Sequence, residues 1–236
     1  MNDIVSYELQ DGIARITLDD GKANVMSVRM LAAISAGLAR AQADQAVVLI
    51  AGRAGMFSGG FDLGVFKSSD PQEMLRMLQA GARLTEKLLG FPRPVVALCT
   101  GHAVAMGLFL LLSCDHRVGP DQGAKFQANE VQIGMTLPYF AIEVLRQRLA
   151  PAPLLSVAAT AMPCNPQQAL AAGILDELAA AADLMQAGLL AARRLASLNA
   201  EAFSATKLRL REPTLLALRK AIDLDLAQWS ATFTKP

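Results

Sequence analysis

Apolar and polar positions alternate through residues 4–9 and again through 13–18, with Gln10-Asp11-Gly12 between them. That pattern predicts a β-hairpin closed by an Asp-Gly turn. The period then changes. Met30, Leu31, Ile34 and Leu38 recur at helical spacing over residues 28–42, with Ser27 placed to cap the N-terminus. A short apolar run at 47–50 reads as a buried strand, and residues 55–64 are rich in glycine. Helical spacing returns over 71–89, with Pro71 in the first turn, where its missing N–H is tolerated. A second buried strand at 95–98 leads through the turn Thr100-Gly101-His102 into an apolar helix at 106–113. Strand, helix, strand, helix predicts an α/β core.

From Pro138 onward the chain is helical by composition, with breaks expected at Pro151 and Pro153, at 163–166, at Gly173 and at Pro213. The last long helix is accordingly expected over 213–232. Asn165-Pro166 supplies a cap and a first position for a helix over 167–172. The expected organisation is an α/β core over residues 1–150 and a helical region over 151–236 that caps it or mediates self-association. Neither an internal repeat nor a low-complexity segment interrupts this reading.

Composition narrows the function. The 236 residues are 53% hydrophobic and 18% charged, with a mean hydropathy of +0.33. Such a chain buries a core without disulfide or metal support, and its apolar surplus points to contacts between subunits. Lys+Arg of 22 against Asp+Glu of 21 leaves a net charge of +1, which removes the electrostatic footprint of a general nucleic-acid binder. An anionic ligand must therefore be held locally. Three cysteines without a CxxC pair, and only two histidines, argue against a disulfide framework and against a zinc site, so a reducing compartment and no metal are expected. Residues 95–114 carry no charged side chain and have the length of a membrane span, but Thr100-Gly101-His102 interrupts them and Pro92 and Pro94 lie just ahead. Strand, turn and helix fit better than a span. Residues 1–4 lack the basic start and apolar stretch of a signal peptide and residues 234–236 carry no address, so the expected location is cytoplasmic.

Three segments offer chemistry. In Phe57-Ser58-Gly59-Gly60-Phe61-Asp62-Leu63, adjacent glycines allow close backbone approach to a ligand, although glycine pairs after strands are mostly ordinary turns. The start of the 106–113 helix exposes unpaired amides at the positive end of the helix dipole, where a developing oxyanion would be stabilised. In Phe126-Gln127-Ala128-Asn129-Glu130-Val131-Gln132-Ile133-Gly134 a lone carboxylate stands among uncharged residues. Burial there would raise its pKa toward neutrality and fit it to exchange protons; an exposed loop glutamate, or one capping the helix near Pro138, is the competing reading. Cys99 and Cys114 read as core, Asp115 as a structural residue at a helix end, and His102 and His116 lack a second metal ligand nearby.

In this order and spacing the three segments, with Cys114-Asp115 closing the helix, resemble the crotonase, or enoyl-CoA hydratase/isomerase, superfamily from about residue 4 to about residue 230. The resemblance implies a spiral of ββα units followed by helices that form trimers, often paired into hexamers. It also implies an acyl-CoA thioester as substrate, with CoA carried in on the substrate and no separate cofactor. By the same resemblance the thioester oxygen sits between the N–H groups of Gly59 and Met106, the latter in place of a commoner glycine and reshaping the acyl pocket. CoA lies along main-chain groups at Phe57, Phe61, Asp62 and Leu63 and near Lys22, Ala23 and Asn24, while Gly107 and Phe109 belong to the substrate pocket. Relatives that hydrate a double bond use two glutamates. Glu130 matches one of them, and Phe109 stands where the other would be. The segment around Glu130 is similar to that of mitochondrial-type Δ3,Δ2-enoyl-CoA isomerases, which keep one glutamate. Dienoyl-CoA isomerases use an aspartate where this chain has Pro138. The resemblance thus implies an isomerase with Glu130 as its one acid/base group and Phe109 excluding water. Weak hydratase or other CoA-thioester lyase activity, or non-catalytic acyl-CoA binding, are the alternatives.

Overall fold

A computed structural model of the chain describes residues 4–68 and 70–233. β1 (Val5–Gln10) and β2 (Ile13–Leu18) form the expected antiparallel hairpin, with Asp11 at φ 53° and Gly12 at φ 73° in the left-handed region its turn requires. α1 (Val28–Ala43) begins where Ser27 Oγ accepts from Met30 N–H at 3.2 Å. β3 (Val47–Ala51) then runs parallel to β2, with every residue buried, as befits a strand covered on both faces.

From β3 the chain repeats one move. β3 is followed by β4 (Gly55–Ser58), β5 (Val95–Leu98) by β6 (Gly101–Val104), and β7 (His116–Pro120) by β8 (Phe126–Gln127). The first strand of each pair enters a six-stranded sheet of order β1-β2-β3-β5-β7-β9, and the second enters a three-stranded parallel sheet of order β4-β6-β8. Helices α2 (Leu63–Lys67) and α3 (Pro71–Leu89) follow the first pair, and α4 (Met106–Leu112) follows the second. This is the α/β spiral of ββα units that the resemblance implied. The small sheet was not anticipated: its strands are two to four residues long, too short for alternation to register. The turn expected at Thr100-Gly101-His102 is in fact the entry to β6.

Beyond β8 come a 3-10 turn at Val131–Ile133, α5 (Tyr139–Arg146), α6 (Pro151–Ala158), α7 (Pro166–Ala171), β9 (Glu177–Ala179), α8 (Leu184–Ala196) and α9 (Ala200–Phe233). Pro151 and Pro153 fall in the first turn of α6, so the break precedes them. Asn165 and Gln168 form a reciprocal capping box on α7, which ends before Gly173 at φ 81°. The break expected at Pro213 does not occur; α9 runs through it as one helix. Packing overrides the lost hydrogen bond: Lys207 is buried ahead of the proline, and Leu215, Leu218 and Ile222 are buried after it.

The helical region is not a separate appendage. β9 joins the main sheet beside β7, and α8 covers one sheet face, its Leu184, Ala191 and Ala192 packing with Leu49, Val96 and Leu98. The opposite face, with Ile16, Val48, Ile50 and Ala97, belongs to a larger core shared with α1, α3 and α4. Among the described residues no helix is long and apolar enough to cross a membrane.

Candidate active site

The C-terminal ends of β4, β6 and β8 lie side by side in the small sheet, so the three chemically interesting segments converge. The loop after β4 is held by upstream residues. Gly59 N–H donates to Ala23 C=O at 2.8 Å, and Met26 N–H donates to Gly60 C=O at 2.8 Å. Gly60 N–H reaches Ser58 Oγ at 3.2 Å. The expectation that Gly59 supplies a free amide is therefore corrected: its N–H is spent on Ala23. The first N–H in the loop that meets no protein acceptor among the described residues belongs to Phe61.

Met106 opens α4, and its N–H likewise meets no protein acceptor among the described residues. Ala105, just ahead of it, adopts φ 49° and ψ −124°, a conformation that costs a non-glycine residue of order 1–3 kcal/mol. That strain turns the chain sharply from β6 into α4. The two loops touch: a methyl group on Gly60, itself at φ 97°, would lie 2.8 Å from Ala105 Cβ and 3.6 Å from Met106 N. Glycine at position 60 is what lets the backbones approach. The side chains of Phe61 and Met106 also meet, over Gly81 of α3, where a Cβ would sit 2.6 Å from the Phe61 ring and 3.2 Å from Met106 Sδ.

Glu130 enters from β8, whose Gln127 C=O accepts from Ala105 N–H at 2.8 Å. The segment carrying the carboxylate is thus pinned to the residue that orients the Met106 amide. Residues 131–136 are all exposed, whereas Glu130 itself is only 6% exposed. Its Oε2 is buried and has no hydrogen-bond partner among the described residues. Burial pushes its pKa up to about 7, countered only by its own backbone N–H. The exposed-loop and helix-capping readings are excluded. The helix at Pro138 is capped instead by Asp225 of α9, which accepts from Tyr139 and Phe140 N–H at 2.9 and 2.8 Å.

Phe109 is fully buried and meets the Phe140 ring edge-to-face at 5.9 Å. Gly107 faces protein rather than open space: a Cβ there would fall 2.6 Å from Ser58 C=O. The residues expected along CoA divide. Lys22 and Leu63 are exposed. Phe57 is buried, its carbonyl taken by Asn24 Nδ2 at 3.2 Å. The Ala23 carbonyl is taken by Gly59, and Asp62 caps α2 through Gly64 N–H at 2.8 Å. Arg53, which the sequence did not single out, lies over this loop, donating to Lys22 C=O at 2.8 Å. Ser58 was also not recognised as a site residue, and Asn24 was expected only near CoA, because their partners lie far apart in the chain. Asp115 is structural as expected, accepting from Val95 N–H, Lys207 and Arg211. Cys99 and Cys114 are buried; burial pushes the Cys99 thiol up to about 12 and Cys114 higher still, so neither is a nucleophile.

Known proteins resemble this chain over nearly its whole length. A family model described as enoyl-CoA hydratase/isomerase matches residues 8–236. A probable enoyl-CoA hydratase, EchA17, of Mycobacterium tuberculosis is 27% identical over 237 residues, 99% of this chain and 90% of that protein. Among solved structures, an enoyl-CoA hydratase (ECHA3) from Mycobacterium marinum superposes with a TM-score of 0.91 at 43% identity, covering 96% of this chain and 99% of that one. The apo structure of an Mtb enoyl-CoA isomerase does so with a TM-score of 0.92 at 42% identity, covering 96% and 99%.

Proposed function

Since the chain belongs to the enoyl-CoA hydratase/isomerase family, we propose that it moves the double bond of a 3-enoyl-CoA to the 2-position, with Glu130 as its one acid/base group. The carboxylate takes a proton from C2, and the electron pair left behind spreads onto the thioester oxygen and over C4. The Phe61 and Met106 amides receive the charge on that oxygen. The protonated carboxyl then delivers the proton to C4, leaving the double bond between C2 and C3. Two amides aimed at developing negative charge lower the barrier where charge appears, and losing one such donor typically costs on the order of 100-fold in rate.

The observation that carries this reading is the buried carboxylate of Glu130, whose Oε2 has no hydrogen-bond partner among the described residues and whose pKa is raised to about 7. A base that must also return its proton works best at that value. Phe109 supports isomerisation over hydration: a phenyl ring packed on Phe140 cannot orient water, and it keeps water from the dienolate. CoA arrives with the substrate along the rim formed by Lys22, Ala23, Asp62 and Leu63, where Arg53 and Lys22 supply positive charge for its phosphates.

With 3-hexenoyl-CoA, the protein is expected to produce the absorbance of a conjugated thioester, and Glu130→Gln to slow this by about 100-fold or more. An unchanged rate in that variant would remove Glu130 from the mechanism. The hydratase names of two relatives favour a second reading, hydration by Glu130 alone. Crotonyl-CoA separates the two, because hydration destroys its conjugation while an isomerase leaves it intact. Affinity for both thioesters without turnover of either would instead mark a non-catalytic acyl-CoA binder.

A further inference from the structure

Ser58 lies between the two amide donors and touches both of their supports. Its side chain is fully buried. Its Oγ donates to Asn24 C=O at 2.8 Å and accepts from Gly60 N–H at 3.2 Å, one residue before Phe61. On its other side the first turn of α4 rests on it, since a Cβ on Gly107 would fall 2.7 Å from Ser58 Cβ. Asn24 is rigid in turn. It is fully buried at φ 49°, a left-handed conformation that asparagine tolerates. Its Nδ2 donates to Leu18 C=O at 2.9 Å and to Phe57 C=O at 3.2 Å, and its Oδ1 accepts from Asp20 N–H at 3.0 Å.

We propose that Ser58, anchored by Asn24, is a positioning residue that sets the separation and aim of the Phe61 and Met106 amides. It rests on the reading of those two amides as the oxyanion donors. One hydroxyl fixes the loop of the first donor, and the body of the same residue is the surface on which the second donor's helix sits. Neither residue touches the substrate. Their effect falls on the charged oxygen, because a donor hydrogen bond to an anion depends far more steeply on geometry than packing against a neutral chain.

The test needs no turnover. A 3-oxoacyl-CoA ionises to an enolate that shares its charge between the thioester and 3-oxo oxygens, and enolate formation is read directly by its absorbance. Wild-type protein is expected to bind this ligand with appearance of the enolate band. Ser58→Ala should weaken that binding by about tenfold or more while leaving affinity for the saturated acyl-CoA of equal length unchanged, with kcat falling and KM constant. Ser58→Cys, which keeps the size of the side chain and weakens its hydrogen bonding, should fall between the two and supplies the same readout if the alanine variant does not fold. Equal losses for both ligands, or no loss for either, would overturn the brace. Wild-type protein that binds the 3-oxoacyl-CoA without enolate absorbance would overturn the donor assignment itself, a different failure.

Discussion

At Glu130 function and stability pull in opposite directions. A carboxyl whose pKa rises from the usual 4.5 to about 7 on folding holds its proton more tightly in the folded chain than in the unfolded one. Stability is therefore unaffected below the unfolded value and falls as pH climbs from about 4.5 to about 7, by roughly 3 kcal/mol once the group is ionised. Glu130→Gln, which cannot ionise, should melt several degrees above the wild type at pH 8 and together with it at pH 4. kcat/KM should rise through pH 7 and level off above it, since the free enzyme needs the carboxylate. A flat profile from pH 5.5 to 8.5, with equal melting at both pH values, would contradict the buried state of this group. The sequence made Glu130 legible because an acid stood alone among uncharged neighbours. It made Gly59 look like a donor because nothing local reveals that Ala23, far upstream, claims its N–H. In the proposed reaction Phe61 takes that role, because its N–H meets no protein acceptor among the described residues of the folded chain.

Among elements, α9 bears most on the site without entering it. Lys207, nearly buried, bonds Asp115 at 2.8 Å and Leu88 C=O at 3.4 Å; Arg211 bonds Asp115 at 2.9 Å. Through Asp115 these contacts tie α9 to the start of β5, and Asp225 holds the first turn of α5, whose Phe140 stacks edge-to-face on both Trp229 of α9 and Phe109. Removing the carboxylate of this cluster leaves Lys207 and Arg211 uncompensated, so Asp115→Asn should cost about 3 kcal/mol in denaturant unfolding while changing KM little. A loss below about 0.5 kcal/mol would show that solvent relieves the cluster. Helices α1 and α3 were legible because periodicity accumulates over many residues, and the short strands β3 and β5 because each is an unbroken apolar run. Continuity through Pro213 was not, since proline signals a break locally and only burial on both sides overrides it. The strands of the small sheet bring the site together but were hidden, being as short as β5 or shorter and lacking its unbroken apolar run.

For the whole molecule, the apolar composition noted in the sequence reappears as a surface. Exposed Val131, Met135 and Leu155 border a groove of about 1030 Å³ between the segment after Glu130 and helices α5 and α6. So much exposed apolar area fits self-association. Light scattering is expected to give three or six times the chain mass of 25.0 kDa, and Leu155→Asp to lower it; a monomer at micromolar concentration would contradict this. In the proposed reaction one carboxyl both takes and returns the proton. Isomerising 3-hexenoyl-CoA labelled with deuterium at C2, in ordinary water, tests it most directly. A substantial share of the deuterium is expected at C4 of the product, carried there by Glu130. Product with no deuterium at C4, all of it lost to solvent, would contradict a single sequestered carboxyl.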